Sequence, residues 1–375
     1  MRERWAGLFF LVFAMGLTGL AGASEPLASL REQCRFIGIE DITAAAATVW
    51  DGDTQIILPA RIRAPIAWNQ LVVSWNATAP GDSWLELEAR GLYPDHATKF
   101  YEIALWSDVC PGHPRHSFGP QKDEDGRVDI DTLVLSRPGA DVQLRLILGG
   151  PTASLLPHIK FVGLAFLDSR LAPPLLAPNR QVWGTVIPAP ERSQLAYPQE
   201  KGWCSPASVS MVLTRWAAVL GRPELALDVP EVAAGAFDAG LDGTGNWPFN
   251  TALAGKFDGM RAYVARLSGL EELEQWVEAG IPVILSAPWH LLAPGRKDTG
   301  NGHLIVCIGF TAQGDVVVND PAANLRKGQS VRRVYKRQDV LRAWKRSSNT
   351  VYLVYPQSAR IPPDRFGHWE ARAQN

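Results

Sequence analysis

The residue with the clearest chemical potential in this sequence is Cys204, which lies where a loop gives way to a helix. Apolar residues recur at helical spacing after it, namely Val209, Val212, Leu213 and Trp216. Ser205 is expected to cap this helix and Pro206 to occupy its first turn. Unpaired N–H groups and the positive end of the helix dipole favour a thiolate there, so Cys204 is predicted to be a nucleophile. The alternative at a helix start is a small buried packing cysteine.

A histidine and an aspartate further along the chain are predicted to meet. His303 opens an otherwise apolar strand, and Asp320 closes the next one. If these strands form a hairpin around a turn at 311–314, the start of the first lies beside the end of the second. A carboxylate in that place holds the tautomer of the imidazole and stabilises its charged form, as thiol and serine hydrolases require. Taken singly, His303 has the alternative of a polar strand end, and Asp320 that of a turn start.

The second half of the chain predicts the elements that would hold these side chains. After a loop over 242–250, helices are expected to about residue 260 and over 271–279, the latter ended by Gly280 in the C′ position. Strands are expected over 282–287, 303–310, 315–319, 331–335 and 351–355. A helix packed at one end of an antiparallel sheet is an α+β arrangement.

The first half of the chain, from about residue 45 to 170, predicts an all-β region. Short β-rich runs separated by turn signals cover 54–58, 70–75, 84–90, 99–106, 128–135, 142–148 and 158–167. This spacing, without an amphipathic helix, predicts a β-sandwich of jelly-roll type that serves as a scaffold or targeting module. Its tryptophans are expected either in the core or as a platform for sugar or peptide, namely Trp68, Trp75, Trp84 and Trp106.

Three motifs, in order along the chain, resemble the C39-like cysteine peptidases of the papain-like fold, and in particular exported bacterial members with an N-terminal β-rich region. They are the Trp-Cys-Ser-Pro-Ala-Ser-Val-Ser segment around Cys204, the Gly-His-Leu-Ile-Val strand of His303 and the Val-Asn-Asp-Pro turn of Asp320. The resemblance covers about 185–355 strongly and the first half more loosely. It departs at Ser205, where bacteriocin-processing members have glycine, and in the lack of their fused transporter. Processing of exported leader peptides is therefore not implied.

The resemblance implies a role for each matching residue. Cys204 would be the nucleophile, His303 the general base and Asp320 the residue that orients it. The family also has a glutamine that donates into the oxyanion hole, which Gln194 matches best, with Gln199 as the alternative. Trp203, Trp247 and Asn250 are predicted to contact a peptide or protein substrate, the last two from a loop that either roofs the cleft or forms a packed corner. No cofactor and no metal are expected.

The chain is predicted to be exported and to have two domains. Arg2 and Arg4 precede an apolar run over 8–20, and small residues end at Ala23, which is typical of a cleaved signal peptide. The predicted organisation is a signal peptide over 1–23, a β-sandwich over 24–171, a proline-rich linker over 172–191, the peptidase domain over 192–356 and a polar tail over 357–375. Secreted or periplasmic location follows, with no transmembrane segment after cleavage.

The net charge and the cysteines indicate which binding partners, disulfides and metal sites are to be expected. The formal net charge of −1 gives no reason to expect nucleic acid. Residues 326–346 contain nine Lys or Arg against one acid, either as a solvated face or as a contact for an anionic wall polymer, for which the β-region is the other candidate. In an exported chain a disulfide is expected, with Cys34–Cys110 as the favoured pair. The run Cys110, His113, His116 offers too few ligands for a metal site.

Two other functions stay open at this point. The same three side chains could serve an amidase or acyltransferase that acts on cell-wall peptides. Alternatively, the chain is a binding protein whose papain-like half is catalytically weak, although all three positions are filled.

Overall fold

A β-rich region and an α+β region follow one another along the chain. The structure, a computed structural model, describes residues 32–44, 46–109, 111–198, 202–292, 295, 297–298 and 302–370. These residues form one compact unit. The predicted signal peptide over 1–23 lies outside them, as do Cys110 and Gln199. No helix among the described residues combines the length and apolar character needed to cross a membrane.

The N-terminal region contains two antiparallel sheets. Its strands, in chain order, are β1 Cys34–Ile39, β2 Ala47–Asp51, β3 Thr54–Leu58, β4 Gln70–Thr78, β5 Trp84–Leu92, β6 Tyr101–Trp106, β7 Gln121–Lys122, β8 Gly126–Asp129, β9 Thr132–Leu135, β10 Asp141–Gly149 and β11 His158–Leu167. One sheet has the order β1-β11-β4-β9-β8-β7, and the other β2-β3-β10-β5-β6. The predicted β-rich character of this half is confirmed; its jelly-roll topology stays a prediction.

Apolar side chains from both sheets form the core of this region. Trp68, Trp75 and Trp106 are almost completely buried. The rings of Trp75, from β4, and Trp106, from β6, meet edge to face with centroids 6.0 Å apart, which joins the two sheets. Trp84 is half-buried and stacks on His113 at 4.6 Å. The tryptophans of the first half are therefore mainly core residues.

The C-terminal region packs helices on a six-stranded antiparallel sheet. The helices are α1 Cys204–Leu220, α2 Val229–Ala236, α3 Trp247–Gly255, α4 Leu270–Glu278, α5 Trp289–Leu292 and α6 Arg337–Trp344. The strands are β12 Met260–Arg266, β13 Val283–Ser286, β14 Leu304–Phe310, β15 Val316–Asn319, β16 Arg332–Tyr335 and β17 Thr350–Pro356. The sheet order is β12-β17-β13-β14-β15-β16. The predicted α+β arrangement is confirmed, and Gly280 ends α4 with φ 76° as expected.

Two elements of this region differ from the prediction. The segment from Trp247 to Asn250, expected in a loop, is the first turn of α3, and the Asn246 side chain caps it by accepting from the Phe249 N–H at 3.2 Å. Helix α3 ends at Gly255, and residues from Met260 form the strand β12 instead of continuing a helix.

The two regions share a buried junction. The side chain of Asn76, on β4, forms two hydrogen bonds with the backbone of Ala262, on β12. Its Nδ2 donates to the Ala262 carbonyl at 2.5 Å, and its Oδ1 accepts from the Ala262 N–H at 3.2 Å. The Asp131 carboxylate, from the turn between β8 and β9, accepts from the Trp247 N–H at 2.9 Å and so supports the start of α3. Burial raises the pKa of Asp131 to about 6. The β-region thus holds a helix of the α+β region in place.

Residues 357–370, predicted as part of a polar tail, pack into this junction. The backbone N–H of Phe36 donates to the carbonyl of Gly367 at 2.7 Å. His368 is 2% exposed, and its Nδ1 lies 2.9 Å from the Glu272 carboxylate on α4. Burial lowers the pKa of His368, but the Cys34 thiol and the Glu272 carboxylate outweigh it and raise that pKa to about 10.

Cys34 corrects the disulfide prediction. It is a free and buried thiol, not half of a Cys34–Cys110 bridge. Its sulfur lies 3.5 Å from the carbonyl oxygen of Arg266 and is hydrogen-bonded to His368. The sulfur is therefore directed towards β12 and the C-terminal segment, where polar groups of the α+β region surround it.

Candidate active site

Cys204 is the first residue of α1, as the sequence predicts. Ser205 does not cap this helix: it lies inside the first turn, fully buried, with its Oγ 3.0 Å from the Tyr352 hydroxyl. The N-cap residue is Trp203, which makes no side-chain capping bond. The N–H groups of the first turn are therefore not occupied by a capping side chain and face the region around the sulfur.

Helix α1 holds Cys204 against the strand that follows His303. Ser208, one turn further along, donates from Oγ to the carbonyl of Leu304 at 3.4 Å, and Trp216 donates to the carbonyl of Val354 at 3.0 Å. The backbone N–H groups of Leu304 and Ser205 are hydrogen-bonded to the sulfur of Cys204. The side chain of Cys204 is thus fixed from both the helix and the sheet.

The predicted hairpin brings His303 and Asp320 together. Strands β14 and β15 pair through a turn in which the Thr311 N–H donates to the Asp315 carbonyl at 2.8 Å and Gly314 adopts φ 84°. At the open end of this hairpin the Nε2 atom of His303 lies 2.8 Å from Oδ1 of Asp320. His303 is 5% exposed and Asp320 is completely buried, so water does not weaken the interaction.

A chain of polar interactions joins the three side chains. The thiol of Cys204 interacts with His303, which is in turn hydrogen-bonded to Asp320. Burial opposes a charge on His303, but the Asp320 carboxylate and the thiol raise the pKa of His303 to about 10. Burial likewise raises the pKa of Cys204, but His303 and the two backbone N–H groups outweigh it and hold that pKa below its ordinary value. The arrangement favours a thiolate and imidazolium pair.

Two residues that the sequence analysis did not single out also contact Asp320. The guanidinium of Arg333 lies 3.1 Å from Oδ2, and the hydroxyl of Tyr335 donates to the same oxygen at 2.5 Å. The N–H of Ala322 donates to Oδ1 at 2.8 Å. Although burial would raise the pKa of Asp320, His303 and these donors hold it well below its usual range. The signal in the sequence is the alternation of Arg333 and Tyr335 on β16, which puts both on one face of the strand that pairs with β15.

Comparisons with known proteins give the family. Residues 186–352 match the profile of the Peptidase_C39 like family, and residues 38–166 match the profile of the Peptidase C39 N-terminal domain. The region over 186–352 belongs to the C39-like peptidase family. Membership of this family suggests peptidase activity. The first profile spans Cys204, His303 and Asp320, and the second spans most of the two-sheet region.

Solved structures add little to this assignment. A crystal structure from Bacillus anthracis, named as a candidate C39-like peptidase, aligns at 20% identity and a TM-score of 0.36, covering 47% of this chain and 98% of that one. A structure of infectious bursal disease virus, Gx strain, aligns at 9% identity and a TM-score of 0.20, covering 37% of this chain and 34% of that one. At these TM-scores neither supports a conclusion about this chain. No curated protein matches it.

Gln194 lies beside the aspartate side of the site. It starts a short 3₁₀ helix, Gln194–Ala196, whose first N–H donates to the carbonyl of Pro321 at 3.0 Å. Ser193 holds the same place by donating to the carbonyl of Ala323 at 2.6 Å. The Oε1 atom of Gln194 is buried, and no described residue forms a hydrogen bond with it. Gln194 is thus attached to the segment that follows Asp320, and its role as an oxyanion donor stays a prediction.

The three predicted substrate contacts differ in exposure. Trp203 and Trp247 are partly exposed, and the Trp203 ring lies 6.0 Å from that of Tyr197. Asn250 has no exposed surface, and its Nδ2 donates to the carbonyls of Thr244 and Asn246 at 2.8 and 2.7 Å. The position of Asn250 therefore supports the packed-corner alternative, with the side chain holding the loop before α3 instead of facing a substrate.

The basic segment is largely neutralised by nearby acids. Five of its nine cationic side chains form ion pairs, namely Arg332 with Glu191, Arg333 with Asp320, Lys336 with Asp315, Arg337 with Glu271 and Glu274, and Arg342 with Asp339.

Among the described residues no group of three or more His, Cys, Asp or Glu side chains has a metal-binding arrangement. The side chain of His116, which belongs to the run of Cys110, His113 and His116, is hydrogen-bonded to the carbonyl of Pro114.

Proposed function

We propose that this chain is an exported cysteine peptidase that hydrolyses peptide bonds through Cys204, His303 and Asp320. The observation that carries the proposal is the buried chain of interactions from the thiol at the start of a helix to the imidazole, which is hydrogen-bonded to the carboxylate. A papain-like fold for the second half and a jelly-roll topology for the first are part of the same proposal. Export follows from the basic and apolar start of the sequence and from its small residues at 21–23.

The reaction would proceed by acyl transfer to sulfur. The Cys204 thiolate attacks the peptide carbonyl carbon while His303 holds the proton that came from the thiol. The developing oxyanion is stabilised by N–H groups at the start of α1 and by the Gln194 amide. His303 then protonates the leaving amine, the C–N bond breaks and a thioester remains. A water that gives its proton to His303 hydrolyses the thioester and restores the free thiol.

Asp320 has a distinct part in this sequence of steps. Its carboxylate holds the imidazole by Nε2, which leaves Nδ1 as the nitrogen directed at the sulfur and at the leaving group. Because Asp320 stays ionised, it stabilises the imidazolium through the whole reaction. Arg333 and Tyr335 keep the carboxylate in this orientation.

The proposal is tested by thiol labelling and a peptide-library cleavage profile. At pH 6, iodoacetamide should label Cys204 far faster than Cys307, because burial raises the pKa of Cys307 to about 12. Cys204→Ala should abolish cleavage, whereas Cys307→Ala, the matched control, should retain it. Product in which an added amine replaces water would identify an acyltransferase. Folded protein that is neither labelled at Cys204 nor active on any peptide would refute the proposal and leave a binding protein.

Contact with an anionic wall polymer is a separate hypothesis for the 326–346 segment. The ion pairs that this segment forms leave its net positive field weaker than the sequence suggests. The proposed substrate is therefore a peptide or protein recognised next to Cys204.

A further inference from the structure

A concavity lies at the junction of the two regions. It has a volume of about 610 Å³, within the usual range for small-molecule sites. Aromatic rings from both regions and from the C-terminal segment line it, namely Phe36, Phe161, Tyr263, Tyr355 and Trp369. None of Cys204, His303 and Asp320 lines it.

The polar group that defines this cavity is Arg261, on β12. Its side chain lines the cavity, although the residue is only 9% exposed. The guanidinium stacks on the ring of Phe161, with Cζ 3.9 Å from the ring centroid. The Nη1 atom is buried and has no hydrogen-bond partner among the residues that the structure describes. A buried cationic donor without an acceptor is costly, so a site of this kind favours a ligand that supplies one.

The contact of Arg261 with Glu40 does not satisfy the hydrogen-bonding capacity of the guanidinium. Nη2 reaches Glu40 at 3.4 Å, which is long for a charge-assisted hydrogen bond, and the Glu40 side chain is 69% exposed. Such an exposed pair is worth little and can exchange for a better partner. A carboxylate is the natural partner, because two oxygens can accept from the guanidinium fork at once.

The charges around the opening restrict the ligand further. Glu40, Asp41 and Glu370 line the cavity together with the cations Arg261 and Lys160. Lys160 is already engaged with the carbonyl of Lys256 at 2.5 Å. Three acids near the opening repel polyanions, whereas one carboxylate carried on an apolar body can reach the guanidinium and cover the aromatic rings.

We propose that this cavity binds a single carboxylate carried on an apolar or aromatic body, as at the C-terminus of a peptide that ends in a large apolar residue. The carboxylate pairs with Arg261, and the apolar side chain lies against Phe161 and Tyr263. This site is independent of the chemistry proposed for Cys204. It would give the chain a second point of contact for peptides or for small carboxylic acids.

The experiment is calorimetric titration of the full-length Cys204→Ala chain, which prevents cleavage. The probes are acetyl-Ala-Ala-Phe with a free carboxylate, the same peptide as its C-terminal amide, and 3-phenylpropionate. The free acid should bind at least tenfold more tightly than the amide, since the amide cannot pair with the guanidinium. Equal affinity for acid and amide, or no binding of either acid, would overturn the proposal.

Substitutions of Arg261 test whether the carboxylate ligand binds in this cavity. Arg261→Gln should weaken the acid peptide at least tenfold, and Arg261→Lys less, whereas Arg127→Gln, which alters an exposed Arg on β8, should leave it unchanged. If 3-phenylpropionate binds as tightly as the acid peptide, the ligand source is a small carboxylic acid; if the peptide binds more tightly, it is a peptide end. Binding that survives Arg261→Gln would refute the site. Should that variant fail to fold, the comparison of acid with amide on the parent chain still decides.

Discussion

The substitution Asp320→Asn separates the proposed role of the carboxylate from its packing. The amide keeps the size of the side chain, but it cannot stabilise an imidazolium. In the structure Asp320 is the main reason that the pKa of His303 reaches about 10. Without it, burial lowers the pKa of His303 and the Cys204 thiol still raises it, so that pKa falls towards its ordinary value of about 6.5.

The expected size of the effect on activity follows from this change in the pKa of His303. A change from about 10 to about 6.5 is more than three pKa units, which corresponds to an upper bound of roughly 4 to 5 kcal/mol of lost imidazolium stabilisation. The sign is that of a raised folded-state pKa: the stabilisation is present below the ordinary pKa and is lost as pH rises towards the raised one. We therefore expect Asp320→Asn to move the alkaline limb of the activity profile down by several pH units, with the rate at pH 8 reduced about 10³-fold or more.

Alkylation by iodoacetamide measures the same effect without a substrate. When His303 is neutral, burial raises the pKa of the Cys204 thiol, so the thiolate fraction at pH 6 falls to roughly 0.003 or less, the fraction for an ordinary thiol of pKa about 8.5. The alkylation rate of Cys204 at pH 6, followed by intact mass, should therefore fall at least about tenfold. Asp315→Asn is the matched control, because it removes an acid of the same hairpin that pairs with Lys336 and does not contact His303. An unchanged alkaline limb in folded Asp320→Asn protein would refute the assignment of Asp320.

Three further predictions concern the surroundings of the site. Gln194→Ala should lower kcat about 10²-fold, from the loss of one oxyanion donor, while the alkylation rate stays unchanged; a parallel fall in both would mean that Gln194 acts on the nucleophile. Arg333→Gln removes a cation that competes for Asp320, so the alkaline limb of the kcat/KM profile should move up by less than one pH unit, and Arg333→Lys should restore it; a downward shift would contradict this. Gly314→Ala should lower the melting temperature by several degrees, because its φ of 84° strains an L residue and a Cβ would lie 2.5 Å from an indole. The control, Gly119→Ala, meets no atom within 4 Å, and equal melting of the two would contradict the prediction.

The sequence predicted the hairpin of the site because its signals are local. Apolar runs on either side of a short turn with Gly314 define both strands and their pairing, and this pairing places His303 beside Asp320. The spacing of apolar residues also predicted the helix of Cys204. The N-cap of this helix was not predicted, because Ser205 is typical of an N-cap but packs against Tyr352 inside the helix.

The elements that were not predicted depend on distant partners. Strand β12 contains Arg261 and Arg266 and shows no alternation, yet all of its residues are buried, because β17 pairs with it and the β-region covers it. The start of α3 carries Asn246 and Pro248, which suit a turn as well as a helix start. Its support by Asp131, over a hundred residues away, cannot be seen in the local sequence.

The strand order of the C-terminal sheet has a consequence for how this region assembles. Strand β17, Thr350–Pro356, joins β12 to β13, so this sheet has a gap until the ribosome has released residues beyond 350. Strand β12 therefore cannot join the rest of the sheet until β17 is present.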